Sequence, residues 1–411
     1  MTVRNMAVSN KPTRRIATPV ALGFAISCFF IWGLAYGLLD VLNKHFQETL
    51  HVGKAQSSWL QIAYFGAYLI MSLPAGSIMH ARGYKFGIVT GLAITAIGAL
   101  LFIPAAVIGS FYVFVGCMFI LATGLCFLET AADTYVNELG HPDRATGRLN
   151  LAQSFNALGV FFGPLIGGLV FFGPASGSQS QQAVQITYAI IGIAVLVYAF
   201  VLARLPLPEV HEGDHISSVD VITFPVKPLW RHGHFVWGVF TQMVYIGAQV
   251  GIGAYFINLV TDVWPGLTSQ KGAFLLSIAT VGYLIGRFVS TALLIKVPPR
   301  ALLTAYGVIN MILTLIVAAG IQRLSAICLI AVFFFMSAMF ATIFTLGVKG
   351  LGTSTKRASS IMVMAIGGGV LLPYPMGRLA ELWGTPAAFV LPAACFALVA
   401  LYGLWGARTK V

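Results

Sequence analysis

The sequence predicts an all-α polytopic membrane protein, with twelve transmembrane helices in two pseudo-symmetric six-helix bundles. Hydrophobic residues make up 58% of the 411-residue chain and charged residues only 9%, whereas soluble domains carry roughly 25% charged residues. Twelve apolar stretches are each close to the roughly 20 residues that a helix needs to cross a bilayer. The fifth and eleventh stretches also share a pattern, which indicates an internal repeat.

The apolar stretches form two groups of six. The first group predicts spans at 18–43, 57–79, 86–108, 111–136, 148–172 and 184–204. The second group predicts spans at 234–258, 271–295, 300–320, 325–347, 357–379 and 386–407. The longest polar segment predicts a central cytoplasmic loop at 205–233, which would join bundles 18–204 and 234–407 and leave tails 1–17 and 408–411.

The lysines and arginines predict the orientation of the chain, because cytoplasmic loops carry an excess of these residues. With the N-terminus inside, only five of the 24 cations fall in outer segments: Lys44, Lys54, Lys271, Arg323 and Arg378. Arg287 lies within a span, and the other cations lie in inner segments. Both termini are therefore predicted to be cytoplasmic.

Spans 5 and 11 are similar to each other. GRLNLAQSFNALGVFFGPLIGG and KRASSIMVMAIGGGVLLPYPMG both open with a cation, reach a glycine-rich centre and end in a proline motif. Internal symmetry of this kind is typical of transporters, whose substrate sites lie near the bilayer midplane between the repeats.

Several classes of protein are excluded by residue content. The five cysteines lie in apolar stretches without CxxC spacing, and the eight histidines lie in loops or at span ends. Neither pattern suits a disulfide framework, a metal site or haem ligation at membrane depth. The net charge of +12 is explained by membrane topology and does not indicate nucleic-acid binding. We expect no enzyme activity and no cofactor.

Three of the twelve acidic residues fall within apolar stretches, namely Asp40, Glu129 and Asp133. A charge at the bilayer centre costs about 2.5–3.5 kcal/mol on insertion scales, so such residues generally mark ion or substrate routes. Glu129 and Asp133 are one turn apart on one helix face, where two like charges repel. This pattern suits proton exchange, and all three residues are candidates for proton coupling. Alternatively, Asp40 and Asp133 are helix-end residues in contact with water.

Three arginines have predicted structural or gating roles. Arg287 is the one deeply placed cation, and it keeps its proton in proteins. Arg82 and Arg148 lie at the predicted inner ends of spans 2 and 5. We expect Arg287 to pair with an acid or with backbone carbonyls.

Polar and aromatic side chains within the spans are candidates for substrate binding. Amides and phenols donate and accept hydrogen bonds, which suits a solute rich in hydroxyls, and aromatic faces suit the C–H faces of sugars. The alternative for each amide is an interhelical hydrogen bond worth about 0.6–2 kcal/mol. The candidates are Tyr36, Tyr64, Gln153, Asn156, Gln242, Tyr245 and Gln249.

Several of these segments together resemble the fucose permease branch of the major facilitator superfamily, a group of fucose, galactose and hexose proton symporters. They include FFIWGLAYGLLD, LCFLETAADTYV, GRLNLAQSFNALG and YIGAQVGIGAYFI. The resemblance implies proton-driven sugar import by alternating access. It further implies that Asp40 and Glu129 are the key carboxylates, and that Asn156 and Gln249 line the cavity.

The chain also departs from the branch pattern. Before the span 1 acid, the branch has asparagines where this chain has Tyr36, Gly37 and Leu39. In span 10, the branch has Gln-Tyr-Pro where this chain has Met339, Phe340 and Ala341. After the span 4 glutamate, the branch has Asn-Pro where this chain has Asp133 and Thr134. The predicted cavity is therefore less polar and more acidic, which favours the hexose class over L-fucose itself.

The sequence thus predicts a proton-coupled symporter that imports a monosaccharide of the hexose or 6-deoxyhexose class. Two alternatives remain: sodium coupling on the same fold, or an efflux antiporter for small amphipathic compounds. The expected partners are a sugar, protons and the lipid bilayer, without nucleic acid. We expect a monomer in a bacterial inner membrane.

Overall fold

The computed structural model describes residues 18–139, 145–173, 180–206, 229–351 and 355–407. Twelve helices in these ranges are long and apolar enough to cross a bilayer, which confirms the predicted number of spans. Both predicted tails lie outside the described residues, as does most of the predicted central loop, whose residues 207–228 are not described.

The first six spans are formed by eight helices. Short breaks divide the second span into α2 and α3, and the third into α4 and α5. The helices are α1 (Thr18–Thr49), α2 (Lys54–Ser57), α3 (Trp59–Arg82), α4 (Tyr84–Leu100), α5 (Phe102–Ile108), α6 (Phe111–Glu138), α7 (Ala145–Phe171) and α8 (Ser180–Arg204).

The second six spans follow a 3-10 turn at Leu229–Arg231. The tenth, eleventh and twelfth spans are each built from more than one piece. The α-helices are α9 (Gly233–Val263), α10 (Ser269–Leu293), α11 (Pro299–Ala318), α12 (Gln322–Met336), α13 (Met339–Val348), α14 (Thr355–Met364), α15 (Pro373–Trp383), α16 (Thr385–Ala388) and α17 (Val390–Leu401). A 3-10 segment, Ala365–Val370, joins α14 to α15, and a π-helical turn, Tyr402–Gly406, follows α17.

Helices α1 and α7 pack closely because each presents glycines four residues apart. A Cβ atom added to Gly37 would lie 2.6 Å from the carbonyl oxygen of Val160, and one added to Gly163 would lie 2.5 Å from the carbonyl carbon of Gly37. Gly33 and Gly159 make similar backbone contacts one turn away. Small residues at this spacing let membrane helices approach backbone to backbone, so this pair forms a tight unit within the first half.

Two helices are longer than the sequence indicated. Helix α1 ends at Thr49 rather than at residue 43, and α9 ends at Val263 rather than at residue 258. The apolar pattern stops earlier because the added turns carry polar side chains. Just before the added turns of α1, Asn43 is fully buried and donates a 2.9 Å hydrogen bond to the carbonyl oxygen of Ala254 in the other half.

The two halves are joined at one end of the bundle, which we call the closed end. There the last turns of α1 and α9 meet α2, α10, α15 and α16. The hydrogen bonds that the structure shows between described residues of the two halves lie at this end. They join Asn43 to Ala254, Gln47 to Asn258, Glu48 to Ser269, Lys54 to Asp262, Thr385 and Tyr255, and the amide of Ala55 to Glu381.

Deeper in the bundle, the halves touch through the glycine-rich centre of the eleventh span. Cβ atoms added to Gly367 or Gly369 would meet the side chains of Leu69 and Phe65, respectively, on α3. The 3-10 segment therefore gives a narrow surface on which α3 rests, and this contact is apolar.

Candidate functional site

Glu129 and Asp133 lie on α6, well inside the helix, and both are half-buried. Oε2 of Glu129 and Oδ1 of Asp133 are buried and have no hydrogen-bond partner among the described residues. A buried carboxylate without a partner is costly, so these oxygens require a proton, water or a solute.

Glu129 lines a narrow crevice between α1 and α6, too tight in this conformation to admit a water molecule, with Cys28, Phe29, Trp32, Leu128 and Ala132. The indole of Trp32 is half-buried and makes an edge contact with Phe29, with ring centroids 6.2 Å apart. An aromatic ring beside a carboxylate offers an apolar face and a hydrogen-bond acceptor together, which suits a hydroxylated solute.

Asp40 lies within α1 and is only 7% exposed. It is therefore not a helix-end residue in contact with water. Its carboxylate faces the backbone of Gly253 on α9, and the amide of Gln61 on α3 lies beside it. The carboxylate thus lies at the boundary between the two halves, next to the closed end.

Three tyrosines continue from Asp40 towards Glu129. Tyr36 is half-buried on α1, and its ring centroid is 6.2 Å from that of Tyr64 on α3. Tyr64 in turn stacks on Tyr68 at 5.5 Å, with an interplanar angle of 24°. The hydroxyl of Tyr68 lies beside Glu129 without reaching hydrogen-bond geometry. Tyr64 is 1% exposed, so in this conformation it is enclosed in the first half, whereas Tyr36 remains partly accessible.

The predicted amide candidates divide between the halves. In the first half, Asn156 donates a 3.2 Å hydrogen bond to the carbonyl oxygen of Phe29, and Gln153 is half-buried. In the second half, Gln242 is fully buried, and neither polar atom of its amide has a partner among the described residues. Gln249 is half-buried on the same helix.

Tyr245 is fully buried, and its hydroxyl donates a 2.8 Å hydrogen bond to the carbonyl oxygen of Met336. This bond joins α9 to the end of α12. Tyr283 on α10 lies near enough to interact electrostatically with both Tyr245 and Tyr36. Tyr36, Tyr245 and Tyr283 therefore lie near one another, although they belong to three different helices.

The three arginines occupy different environments. Arg287 is half-buried; it contacts the hydroxyl of Tyr283 at 3.4 Å, and its guanidinium carbon lies 5.4 Å from the centre of that ring. Arg148 donates a 3.0 Å hydrogen bond to the carbonyl oxygen of Val136, which ties the start of α7 to α6. Arg82 is exposed and covers the ring of Phe86.

Within the described side chains, the ion pairs are Lys44–Glu48, Lys54–Asp262 and Arg378–Glu381. None of them includes Asp40, Glu129, Asp133 or Arg287. In the same part of the chain, no group of three histidine, cysteine or acidic side chains is arranged to hold a metal ion.

Two sets of residues were missed by the sequence reasoning. The first is Gln61, which lies beside Asp40. A signal for it was present in the sequence, because polar residues recur every three or four positions along α3, at Gln61, Tyr64, Tyr68 and Ser72, and so share one helix face. The second is the set of closed-end contacts made by Lys54, Asp262 and Glu381, which the sequence assigned to loops. No local pattern identifies these contacts, because their partners are far apart in the chain.

The protein is a polytopic membrane protein built from two halves of six spans each. Carboxylates that form no ion pair within the described residues lie inside the first half. More specifically, the chain belongs to the Major Facilitator Superfamily, whose family model matches residues 25–371. This result confirms the predicted fold and superfamily.

The curated relatives are transporters. The chain is 35% identical over 395 residues to a glucose/galactose transporter of Brucella abortus, covering 94% of this chain and 95% of that protein. It is also 35% identical over 410 residues to the L-fucose-proton symporter of Escherichia coli K12, covering 94% and 93%. These relatives confirm the resemblance to the fucose permease branch.

Solved structures agree with this assignment. FucP in the outward conformation matches with a TM-score of 0.68 and 33% identity, covering 95% of this chain and 100% of that structure. The inward open conformation of the xylose transporter XylE from E. coli matches with a TM-score of 0.75 over 96% and 97% of the two chains, and its 13% identity supports the fold alone.

Proposed function

We propose that the protein is a secondary active transporter that imports a monosaccharide of the hexose class together with protons, by alternating access. The observation that carries this proposal is the position of Glu129, which combines a crevice beside Trp32 with a buried, unpartnered carboxylate oxygen. Relatives named as glucose/galactose transporters and L-fucose-proton symporters support the same substrate class and coupling ion.

The orientation follows from the excess of cations in the segments predicted to be cytoplasmic. With both termini inside, the closed end faces the exterior, and the structure corresponds to a state closed to the outside. A bacterial inner membrane, as expected from the sequence, is the compartment in which a proton gradient would drive import.

The mechanism begins with the carboxylates. In the outward-open state Asp40 and Glu129 take up protons, which removes the cost of moving unpaired charges through a nonpolar environment. The sugar then binds between the halves, its hydroxyls held by amides and its C–H face by aromatic rings. The closed end forms as the halves rock, and the sugar and protons leave on the cytoplasmic side.

Sodium coupling is a second candidate, favoured by one observation. Glu129 and Asp133 lie one turn apart, and each has an unpartnered oxygen, so the two carboxylates offer hard oxygen ligands of the kind that bind small cations. Proton and sodium coupling therefore share the same residues and are separated by experiment.

The test uses proteoliposomes containing the full-length protein in a lightly buffered medium without an imposed gradient. L-fucose, D-glucose, D-galactose, D-mannose and N-acetylglucosamine are added in turn while the external pH is recorded. We expect one or more sugars to make the medium more alkaline, and Glu129→Gln to abolish both this response and, in a second assay with an imposed proton gradient, uphill accumulation of the sugar. Uphill uptake that survives intact in Glu129→Gln would remove Glu129 from the coupling role.

The other outcomes are equally informative. Labelled-sugar uptake that follows a sodium gradient, without a pH change, replaces the proton with sodium. No response to any of the sugars, together with protection of cells against toxic amphipathic compounds, replaces import with efflux.

A further inference from the structure

Helix α3 carries a line of polar side chains that runs between the carboxylates. Gln61, Tyr64, Tyr68 and Ser72 recur at three- and four-residue intervals and so share one face of the helix. The eleven residue steps from Gln61 to Ser72 cover about 16 Å along the helix axis, which is a large part of the thickness of the membrane core. We call these four residues the α3 polar line.

Every member of the α3 polar line has a buried polar atom with no hydrogen-bond partner among the described residues. These atoms are both amide atoms of Gln61, the hydroxyls of Tyr64 and Tyr68, and Oγ of Ser72. Gln61 is fully buried, and Tyr64 and Tyr68 are 1% and 8% exposed. Buried polar groups are nearly always satisfied, by water where protein groups do not suffice. A row of them on one face therefore indicates a hydrated or solute-binding track.

The two ends of the α3 polar line meet the candidate coupling residues. Gln61 lies beside Asp40, and Tyr68 lies beside Glu129. Between these ends, Tyr64 stacks on Tyr68, and Tyr36 of α1 approaches Tyr64 from the side of Asp40. Hydroxyl groups both donate and accept hydrogen bonds, so tyrosines bridged by water can pass a proton along.

We propose that the α3 polar line is a proton route inside the first half, along which Asp40 discharges its proton to Glu129. This inference rests on the proposed function, and it assigns Tyr64 and Tyr68 to the proton rather than to the sugar. Gln61 is a positioning residue, because an amide beside Asp40 orients the carboxyl group and the first bridging water.

The closed end explains why such a route is needed. Asp40 is buried at the boundary between the halves, where the contacts of Asn43, Gln47 and Lys54 separate it from the exterior. A proton taken up from outside can then leave Asp40 only along the interior of the protein. Glu129 and Asp133, both half-buried, lie on α6 further from the closed end, and they are the described carboxylates within the first half that can receive it.

The transfer conserves atoms and charge. The O–H bond of protonated Asp40 breaks, and each tyrosine hydroxyl accepts a proton on its oxygen while releasing its own to the next acceptor. Once Glu129 has released its own proton on the cytoplasmic side, an O–H bond forms on its carboxylate at the far end of the route, and Asp40 is left ionised. No oxidant, reductant or second substrate takes part.

Other ionisable groups surround the route. They are Cys28 and Tyr36 on α1, Cys126 and Asp133 on α6, Tyr245 on α9, and Tyr283 and Arg287 on α10. Arg287 keeps its proton, and the cysteines flank Glu129 and Tyr64 rather than Asp40. Asp133 extends the route by one helical turn beyond Glu129.

The test is a double substitution, Tyr64→Phe with Tyr68→Phe, which removes both hydroxyls and keeps both rings. Proteoliposomes are assayed for sugar-induced proton uptake and for sugar counterflow, an exchange that moves no net proton. The sugar is the member of the panel above that gives the largest response with the unaltered protein. We expect proton uptake to fall at least about tenfold, since one positioned proton-transfer group generally contributes 10²–10⁴-fold and water replaces part of it. Counterflow should change little.

The matched control is Tyr188→Phe, which removes the hydroxyl of another buried tyrosine in the same half. Tyr188 is 2% exposed and stacks on Phe102 at 4.0 Å, away from the α3 polar line. This variant should match the unaltered protein in both assays. Equal losses of proton uptake and counterflow in the double variant would indicate a general defect in transport and would overturn the proposal.

Two further outcomes are decisive. If counterflow requires more sugar for half-maximal rate while the ratio of protons to sugar is unchanged, the hydroxyls bind the sugar and the proton route is rejected. If the unaltered protein takes up no protons with any sugar of the panel, the proposed function itself fails and the proton route fails with it.

Discussion

Asp40 of α1 packs directly against Gly253 of α9, across the boundary between the two halves. A Cβ atom added to Gly253 would lie 2.5 Å from Oδ2 and 3.1 Å from Cγ of Asp40. Such distances are shorter than van der Waals contact, so a side chain at position 253 would force the Asp40 carboxylate to move in the closed state. The carboxylate proposed to carry the proton is thus part of the surface that closes the protein at one end.

Gly253→Ala should weaken the closed end, because the added methyl group forces Asp40 away from α9. Overpacking of a close contact costs roughly 1–3 kcal/mol, which is enough to shift the balance between conformations about fivefold or more, since 1.4 kcal/mol is a factor of ten. Spin labels at the exposed positions Tyr112 and Ile321 should report a larger separation across the closed end.

Gly282→Ala in α10 is the matched control, since a Cβ atom there meets nothing within 4 Å. Its label separation should equal that of the unaltered protein. An unchanged separation in Gly253→Ala would mean that the Asp40 side chain rotates aside without moving the halves.

Lys54→Met should also favour opening of the closed end, but more weakly. Lys54 pairs with Asp262 at 3.2 Å and donates a 2.6 Å hydrogen bond to Thr385, so it joins α2 to two helices of the other half. Partly exposed ion pairs contribute about 0.2–1 kcal/mol, which corresponds to a population shift of at most about fivefold. The same label pair measures this shift.

Lys271→Met is the control for the loss of a lysine charge. Lys271 is exposed at the start of α10, and within the described residues its side chain makes no hydrogen bond or ion pair to the other half, so its removal leaves those contacts unchanged. A similar shift in both variants would show that net charge, rather than the contact between the halves, controls the closed end.

The twelve spans and the carboxylates within them were predictable from the sequence because both depend on local composition. A run of about 20 apolar residues has few alternatives to a membrane helix, and Glu129 stands out within such a run. The extra turns of α1 and α9 were not predictable. Their polar residues are typical of loops, and only the folded bundle shows that Gln47, near the end of α1, meets Asn258 of the other half.

The site was predictable in part for the same reason. Residue type identifies Tyr64 as a candidate, but only the packing of α1, α3 and α6 shows that its ring is enclosed and continues towards Tyr68. Gln61 remained unnoticed because its significance depends on Asp40, twenty-one positions earlier in the chain. Relationships between spans are set by helix packing, about which a single span contains little information.

Gly163→Ala should destabilise the first half as a whole. The new methyl group would lie 2.5 Å from the backbone of Gly37, and backbone atoms cannot rotate aside as a side chain can. We expect a loss at or above the upper end of the roughly 1–3 kcal/mol that overpacking costs. This loss is measured by heating the protein in detergent and recording the fraction that stays monodisperse at each temperature.

Gly116→Ala in α6 is the control for Gly163→Ala, because a Cβ atom there has open space. It should leave stability unchanged or raise it by about 0.5–1 kcal/mol, the usual benefit of alanine over glycine within a helix. If Gly163→Ala is equally stable, α1 and α7 separate without cost and do not form a fixed unit.

Asp133→Asn should stabilise the protein, and the gain should depend on pH. Asp133 and Glu129 are one turn apart on α6, where like charges destabilise a helix by about 0.2–0.5 kcal/mol even in water. Nonpolar surroundings strengthen this repulsion. At alkaline pH both carboxylates are ionised and the repulsion is greatest, so the variant gains most there. As the pH falls and one carboxyl group binds a proton, the repulsion and the gain disappear.

The unfolding temperatures of Asp133→Asn and of the unaltered protein are compared from about pH 6 to about pH 9, a range in which a free carboxyl group is almost fully ionised. Asp262→Asn, at an exposed and paired position, is the control and should show no pH-dependent gain. A variant less stable than the unaltered protein at every pH would mean that a cation neutralises the two carboxylates. That result would favour a bound sodium ion over an exchangeable proton at Glu129 and Asp133.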